Sequence, residues 1–301
     1  MRNIINVKPI DLLSKFKPES KLGKIINFPI IRIFVAIIVF LIPIIAASNG
    51  FSFLIDSVNE PLHSIILIIR FISTVGLIIL SYHFYTKIVE KRKALEMNKD
   101  NAFMEWLIGF TISLFMVCSV VSVMLILGFY RIESTNGILI LLKNFTYFGM
   151  GAFTQTLVFR LIIFKNVEEI TGTWIAIIIG AAIFGFSHFF NENATVITSI
   201  SLMISELLLL AAFMLTRRIW LVWGIHMGWN FFQAGVFGMP NSGITFKGFI
   251  KPIINGPVWL TGGTFGIEAS IVSFFINLII GVVILYLAIK YNNITKPKWV
   301  R

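Results

Sequence analysis

The sequence predicts an all-α, polytopic membrane protein, built as a bundle of eight transmembrane helices. Of its 301 residues, 57% are hydrophobic and only 13% are charged, whereas about a quarter of a typical soluble domain is charged. The mean hydropathy of +0.90 agrees with this class. A span needs about 20 mostly apolar residues, and eight segments meet this requirement: residues 29–48, 64–86, 104–130, 137–164, 173–190, 195–215, 219–237 and 269–289.

The chain before the first span is basic. Residues 1–28 contain Arg2 and five lysines, and no small-residue cleavage site follows the first apolar run. We therefore expect a cytoplasmic segment rather than a removed signal peptide. The rest divides into N-terminal transmembrane helices (29–136), a transmembrane core (137–290) and a basic cytoplasmic tail (291–301).

The connections between the spans alternate in charge. Lys and Arg gather in the 86–100 loop, around the 165–172 turn and in the tail, whereas the loops at 56–60 and 191–193 contain neither. Basic residues concentrate on the cytoplasmic side of membrane proteins. We therefore expect the chain to lie in a prokaryotic cytoplasmic membrane with both termini on the cytoplasmic side. The exception is the loop at 238–268, whose two lysines would lie outside; its Gly and Pro residues predict an irregular or partly interfacial segment.

The 25 Lys and Arg outnumber the 14 Asp and Glu, and we explain this excess by the concentration of basic residues on the cytoplasmic side. Placed on one side of a membrane protein, these charges favour anionic membrane lipids as partners and argue against nucleic acid. The single cysteine, Cys118, lies in an apolar stretch and excludes an internal disulfide. We expect it to be a core residue.

Polar side chains recur at helical spacing in the second half of the chain. His188 follows Phe184 by four residues, and Asn230 follows His226 by four. Residues four apart project from the same face of a helix, and polar side chains inside a membrane span are costly unless they face protein or a cavity. The pattern predicts a functional site; the alternative is two structural histidines hydrogen-bonded inside the bundle.

Gln155 is predicted to join this site. The spans at 137–164 and 173–190 form a hairpin around the 165–172 turn, and Gln155 and His188 lie almost equally far from its middle. In an antiparallel pair of helices, equal distance from the turn means equal depth. We therefore expect one cavity to be lined by Gln155, His188, His226 and Asn230.

These motifs resemble those of the CPBP (Abi) family, which comprises type II CAAX prenyl endopeptidases and related bacterial proteins. His188 with Phe184 resembles the second motif of the family, and His226 with Asn230 resembles the third. Further similarities follow in the order of the family between residues 151 and 270, at Phe159-Arg160, Gly172-Thr173-Trp174, Phe184-Gly185, Glu206, Met214-Leu215-Thr216-Arg217, Thr261-Gly262-Gly263, Phe265-Gly266 and Glu268.

The first motif of the family departs from the pattern in this chain. It consists of two adjacent glutamates followed, after three residues, by arginine. Aligned on Phe159-Arg160, the two glutamate positions hold Gln155 and Thr156. Without its glutamate partner, Arg160 is expected to extend toward the inner surface or to pair with another acid.

The resemblance implies roles for the remaining residues. His188 would act with the first glutamate to polarise water, and His226 and Asn230 would stabilise the oxyanion. Gln155 can position a water but has no basic carboxylate, so the general base is missing. The resemblance thus leaves two hypotheses: an intramembrane endopeptidase acting on a peptide or lipidated peptide near the cytoplasmic half of the bilayer, or a catalytically inactive scaffold, regulator or immunity-type protein that binds a peptide or a membrane-protein partner in the same cavity.

Glu168-Glu169 and Glu206 are the candidates for a carboxylate that replaces the missing base. Glu168-Glu169 falls in the inner turn and is expected to be a pair of solvated turn charges. Glu206 lies inside a span, where it must be paired or face a cavity. Pairing with Arg70 or Lys143 is the preferred interpretation, and a replacement base is the alternative.

A metal ion is a weaker expectation. Two histidines and a glutamate could bind zinc, but the close His-His pair of a zincin helix is absent. No cofactor is therefore assigned, and a divalent metal such as zinc remains an alternative. The remaining histidines, His63 and His83, lie near the ends of the second span and are expected to be structural.

Overall fold

The computed structural model describes residues 10–13 and 18–300, so the predictions for Arg2, Lys8, Lys15 and Lys17 lie outside the described residues. Most of the described chain is helical, and a helix coincides with each of the eight predicted spans. The elements are α1 (Lys21–Ile26), α2 (Pro29–Asp56), α3 (Leu62–Ile88), α4 (Ala102–Ile126), β1 (Tyr130–Thr135), α5 (Leu139–Thr156), α6 (Lys165–Thr171), α7 (Thr173–Ser187), α8 (Val196–Thr216), α9 (Ile219–Asn230), β2 (Ile250–Ile254), α10 (Val258–Thr261) and α11 (Ile271–Lys290).

Two of the long helices contain a π-helical segment. One segment, Leu157–Phe164, joins α5 to α6 without a break, and the other, Phe231–Val236, extends α9. Among the described residues, five helices are long and apolar enough to cross a membrane: α3, α4, the continuous helix Leu139–Thr171, α8 and α11. The chain is therefore an integral membrane protein. The number of eight crossings stays a prediction.

The continuous helix corrects the predicted turn at 165–172. Lys165 and the residues after it are helical as far as Thr171, and the reversal is made by Gly172, whose φ of +77° suits glycine. Gln155 lies 17 residues before Gly172, and His188 lies 16 residues after it. Gln155 and His188 are therefore still expected to lie at equal depth in the membrane.

A two-stranded antiparallel sheet joins the connection between α4 and α5 to the connection between α9 and α11. Strand β1 pairs with β2, with an irregularity between Ile132 and Ser134. The prediction that the 238–268 loop is irregular is therefore wrong for β2. The β1–β2 ribbon is also an exception to the predicted all-α class. The Tyr130 hydroxyl donates to the Phe237 carbonyl at 2.8 Å, which attaches the ribbon to the end of the extended α9.

Helix α9, which carries two of the predicted site residues, packs very closely on α4. A Cβ atom on Gly224 would lie 2.2 Å from the Trp106 carbonyl oxygen, and one on Gly109 would lie 2.3 Å from the Leu221 oxygen. Small residues let membrane helices approach to backbone contact. The Ser113 hydroxyl adds a hydrogen bond of 2.6 Å to the Ile225 carbonyl, so α9 is held at a fixed height and rotation.

Buried ion pairs lie at the end of the bundle that carries the C-terminal tail. Arg217 binds Glu168, with one nitrogen–oxygen distance of 2.9 Å, and Arg32 binds Glu169. Glu168 is only 2% exposed. The interpretation of Glu168-Glu169 as solvated turn charges is thus wrong, because the helix continues through them and neighbouring helices supply arginine partners.

Candidate active site

A cavity of about 550 Å³ lies between the second-half helices. Four of the predicted site residues line it: Gln155 from α5, His188 from the end of α7, and His226 and Asn230 from α9. The rest of the wall is largely apolar and includes Phe148, Met150, Phe159, Leu202, Leu208 and Trp229. Polar groups converging in an apolar cavity of this size are typical of a ligand site.

The imidazole of His188 is held by the helix that it terminates. Its Nδ1 atom lies 2.9 Å from the Phe184 carbonyl oxygen, and its ring packs on the Phe184 ring with centroids 4.5 Å apart. Because a carbonyl oxygen can only accept, a neutral His188 carries its hydrogen on Nδ1. The lone pair is then on Nε2, where it can accept a proton or a hydrogen bond.

His226 and Asn230 offer hydrogen-bond donors to the cavity. The Nδ1 atom of His226 lies 3.5 Å from the Thr156 hydroxyl, which can donate to it and so favour a hydrogen on Nε2. The side-chain oxygen of Asn230 accepts a hydrogen bond of 3.1 Å from the Asn241 amide. Because the oxygen of Asn230 accepts this bond, the NH₂ group of Asn230 remains available as a donor in the cavity.

Thr156 and Arg160 do not line the cavity, although both were predicted site residues. Each is fully buried behind the wall. Arg160 forms an ion pair with Glu206, which confirms the expectation that it finds another acid. The predicted pairing of Glu206 with Arg70 or Lys143 is wrong: the rotation of α8 turns Glu206 toward the π-helical segment that carries Arg160.

One carboxylate that sequence reasoning did not assign to the site does line the cavity. Glu268, in the loop before α11, accepts hydrogen bonds from the Ser242 amide at 2.6 Å and the Ser242 hydroxyl at 3.0 Å. Asn241 lies 3.4 Å from the same carboxylate and links it to Asn230. Burial raises the pKa of Glu268 to about 7, against the effect of the Ser242 hydrogen bonds. The available signal was an acid directly after a glycine turn and before an apolar span.

The cavity lies toward the end of the bundle opposite the C-terminal tail. Its wall includes Asn191 from the α7–α8 connection and Ser242 from the 238–268 loop, whereas the tail contacts the other end, where the Thr173 amide donates to the Thr295 carbonyl. If the tail is cytoplasmic, as the charges predict, the cavity faces the outer half of the membrane. The predicted position near the cytoplasmic half is not compatible with that orientation.

The donor set of the cavity does not suit zinc. Within residues 10–13 and 18–300, no group of three or more His, Cys, Asp or Glu side chains is placed to hold a metal ion. His188 and His226 supply two ligands, whereas a catalytic zinc site uses three protein ligands. The chemistry considered below therefore uses only the residues of the chain.

Comparison with known proteins supports the motif-based assignment. Residues 137–232 match the model of a family described as type II CAAX prenyl endopeptidase Rce1-like. This segment contains every motif position from Gln155 to Asn230. No curated protein and no solved structure matches the chain. The family match confirms the resemblance that was identified from the motifs.

Proposed function

We propose that this CAAX-protease-type membrane protein binds a peptide or lipidated peptide in the cavity lined by His188, His226 and Asn230, and that it lacks the peptidase activity that a carboxylate general base would supply. The observation that carries the proposal is Gln155. Its side chain lines the cavity at the glutamate position of the first motif, and an amide cannot accept the proton of an attacking water at physiological pH.

The neighbouring carboxylates do not make up for this loss. Glu206 is fully buried in its ion pair with Arg160 and does not line the cavity. Glu268 does line it, but its oxygens are bound by Ser242 and Asn241. The apolar wall and the donors that remain suit the backbone and side chains of a bound peptide. Such a cavity fits a scaffold, regulator or immunity-type role.

A weak peptidase is the second candidate, and the hydrogen bond of His188 favours it. With Nδ1 bound to the Phe184 carbonyl, Nε2 can take a proton from water. The Asn230 NH₂ group and His226 Nε2–H could then donate to the tetrahedral oxyanion. In this reading His188 is the base, and Gln155 only positions the water.

Photocrosslinking tests the binding proposal directly. A benzophenone amino acid replaces Tyr147, an exposed aromatic residue that lines the cavity, or Phe115, an exposed aromatic residue on α4 that does not. After reconstitution in lipid, each protein is irradiated with a fluorescent library of apolar peptides. We expect capture at Tyr147 and not at Phe115. Equal capture at both positions would mean that the peptides bind the lipid-facing surface, and the proposal would fail.

The same reconstituted protein separates the two candidates. Mass spectrometry of the library after incubation reports any cleavage. Binding without cleavage supports the inactive protein. Cleavage that His188→Ala removes would support the weak peptidase instead.

A further inference from the structure

A second cavity of about 300 Å³ lies beside the candidate active site. Three basic side chains, Arg70, Lys143 and His63, line it. Three further lining residues belong to both cavities: Tyr147, Met150 and Phe246. The two cavities are therefore adjacent and share part of one wall.

Arg70 lies unpaired in this second cavity. Among the described residues, its guanidinium forms no ion pair and no hydrogen bond, and its Nε atom is buried. Glu206, the acid expected to bind it, is paired with Arg160. An intramembrane cation without an internal partner is a functional-site hypothesis by default.

The other charges of the cavity do not neutralise Arg70. Lys143 lies 3.2 Å from Glu60, and His63 lies 3.6 Å from the same carboxylate. Glu60 thus has basic neighbours of its own at the end of α3. Arg70 and Lys143 together outnumber this one acid, so the cavity has a net positive charge and would be completed by an anion.

The depth of Arg70 favours an anion that enters with the peptide. Arg70 follows the first residue of α3, Leu62, by eight positions, which places its backbone about 12 Å along the helix axis. Lipid phosphates lie at the membrane surface, whereas Arg70 lines a cavity that shares a wall with the main cavity. A planar guanidinium also matches a carboxylate in a two-bond geometry.

We propose that Arg70, supported by Lys143, binds a carboxylate of the peptide that occupies the main cavity. The carboxylate can come from a free C-terminus or from an Asp or Glu side chain near it. This inference rests on the proposed function and adds a charge preference to it. The preferred ligand is an apolar peptide that carries a negative group a short distance from the segment facing His188.

Binding of three model peptides tests the inference. The probe is a fluorescein-labelled hexapeptide of alanine and leucine, prepared with a free C-terminal carboxylate, with a C-terminal amide, and with an amide after a terminal glutamate. Fluorescence anisotropy is measured with the full chain in an uncharged detergent. We expect a carboxylate to tighten binding by at least about tenfold over the neutral amide, and the third peptide shows whether a side-chain carboxylate suffices.

Two variants identify the residue responsible. Arg70→Gln should remove the preference for the two carboxylate peptides over the neutral amide. Lys251→Gln is the matched control, since Lys251 is an exposed cation at the same end of the bundle that pairs with Glu133 outside both cavities. It should keep the preference. The comparison of the three peptides on the unmodified protein remains informative even if Arg70→Gln does not fold.

The outcomes distinguish this inference from the proposed function. If the neutral peptide binds and the carboxylates give no advantage, the carboxylate subsite is wrong and peptide binding stands. If no peptide binds, both are wrong. The protein is also assembled in nanodiscs of phosphatidylcholine with or without phosphatidylglycerol. If Arg70→Gln lowers retention of phosphatidylglycerol and leaves the peptide preference intact, Arg70 binds a lipid headgroup and the inference is overturned.

Discussion

Arg160 and Glu206 form an ion pair in the interior of the membrane protein, and both side chains are completely buried. The guanidinium of Arg160 also lies over the Phe184 ring, 5.1 Å from its centroid. Phe184 in turn supplies the carbonyl that fixes His188. The pair therefore supports the orientation of a site residue without reaching the cavity itself.

Breaking this pair should be strongly destabilising. Glu206→Gln leaves the Arg160 charge buried without an anion, and the loss of one partner of a buried pair typically costs about 3–5 kcal/mol. We expect a large drop in the midpoint of thermal unfolding in detergent. Arg160→Met combined with Glu206→Met should recover much of the loss, because neither charge remains.

Glu133→Gln is the control for this comparison, since its pair with Lys251 is exposed and exposed pairs contribute little. A Glu206→Gln protein as stable as Glu133→Gln would show that Arg160 does not depend on Glu206.

The close contact between α4 and α9 should not tolerate a side chain at Gly224. An added Cβ would lie 2.2 Å from the Trp106 oxygen, and overpacking of this kind costs about 1–3 kcal/mol. We expect Gly224→Ala to lower the unfolding midpoint and to shift α9 away from α4. Gly76→Ala is the matched control, because a Cβ at this glycine of α3 meets no atom within 4 Å. Similar midpoints for the two variants would refute the packing argument.

Glu268 should make stability depend on pH. Burial raises its pKa from 4.5 to about 7, so between these values the folded protein holds a proton that the unfolded chain has released. The stabilisation is complete below about pH 4.5 and is lost as the pH rises through 7. Glu268→Gln should therefore show a smaller decrease in unfolding midpoint between pH 5 and pH 8 than the unmodified protein does. Identical pH profiles would contradict the raised pKa.

The predicted topology can be tested with four exposed positions. In a Cys118→Ser background, single cysteines replace Ser57, Lys93, Asn193 and Lys298. An impermeant thiol reagent added to intact cells should label positions 57 and 193, because the basic loops are expected inside. Labelling at 93 and 298 should require permeabilised cells. The reverse pattern would invert the bundle and place the cavity toward the cytoplasm.

Sequence reasoning was most successful where one physical pattern dominates. Runs of apolar residues gave the positions of the long helices, because each helix must satisfy its own backbone in lipid. The four-residue spacing of His226 and Asn230, together with the equal distances of Gln155 and His188 from Gly172, predicted the residues that now line one cavity. Their chemical roles stay predictions.

Features that depend on helix rotation or on loop structure were missed. The partner of Glu206 could not be predicted, because the apolar surroundings of α8 do not reveal which face meets Arg160. Strand β2 was missed because it contains Pro252 and lies in a loop rich in glycine. The position of Glu268 in the cavity wall was missed because Glu268 belongs to the same loop, and the sequence pattern does not specify the path of that loop.

The proposed loss of peptidase activity depends on Gln155, which cannot act as a general base in the cavity. Gln155→Glu restores a carboxylate at this position, and a general base typically contributes about 10²- to 10⁴-fold in rate. His188→Ala in the Gln155→Glu background is the control, and it should abolish the gain because water activation would need both groups.

The rate of peptide cleavage by the reconstituted Gln155→Glu protein, compared with that of the unmodified chain, tests whether the missing carboxylate at position 155 explains the proposed lack of activity. We expect the variant to cleave peptides at a rate at least about 100-fold above that of the unmodified protein. If the unmodified protein already cleaves peptides efficiently and Gln155→Ala leaves that rate unchanged, another residue supplies the base and the role assigned to Gln155 is wrong.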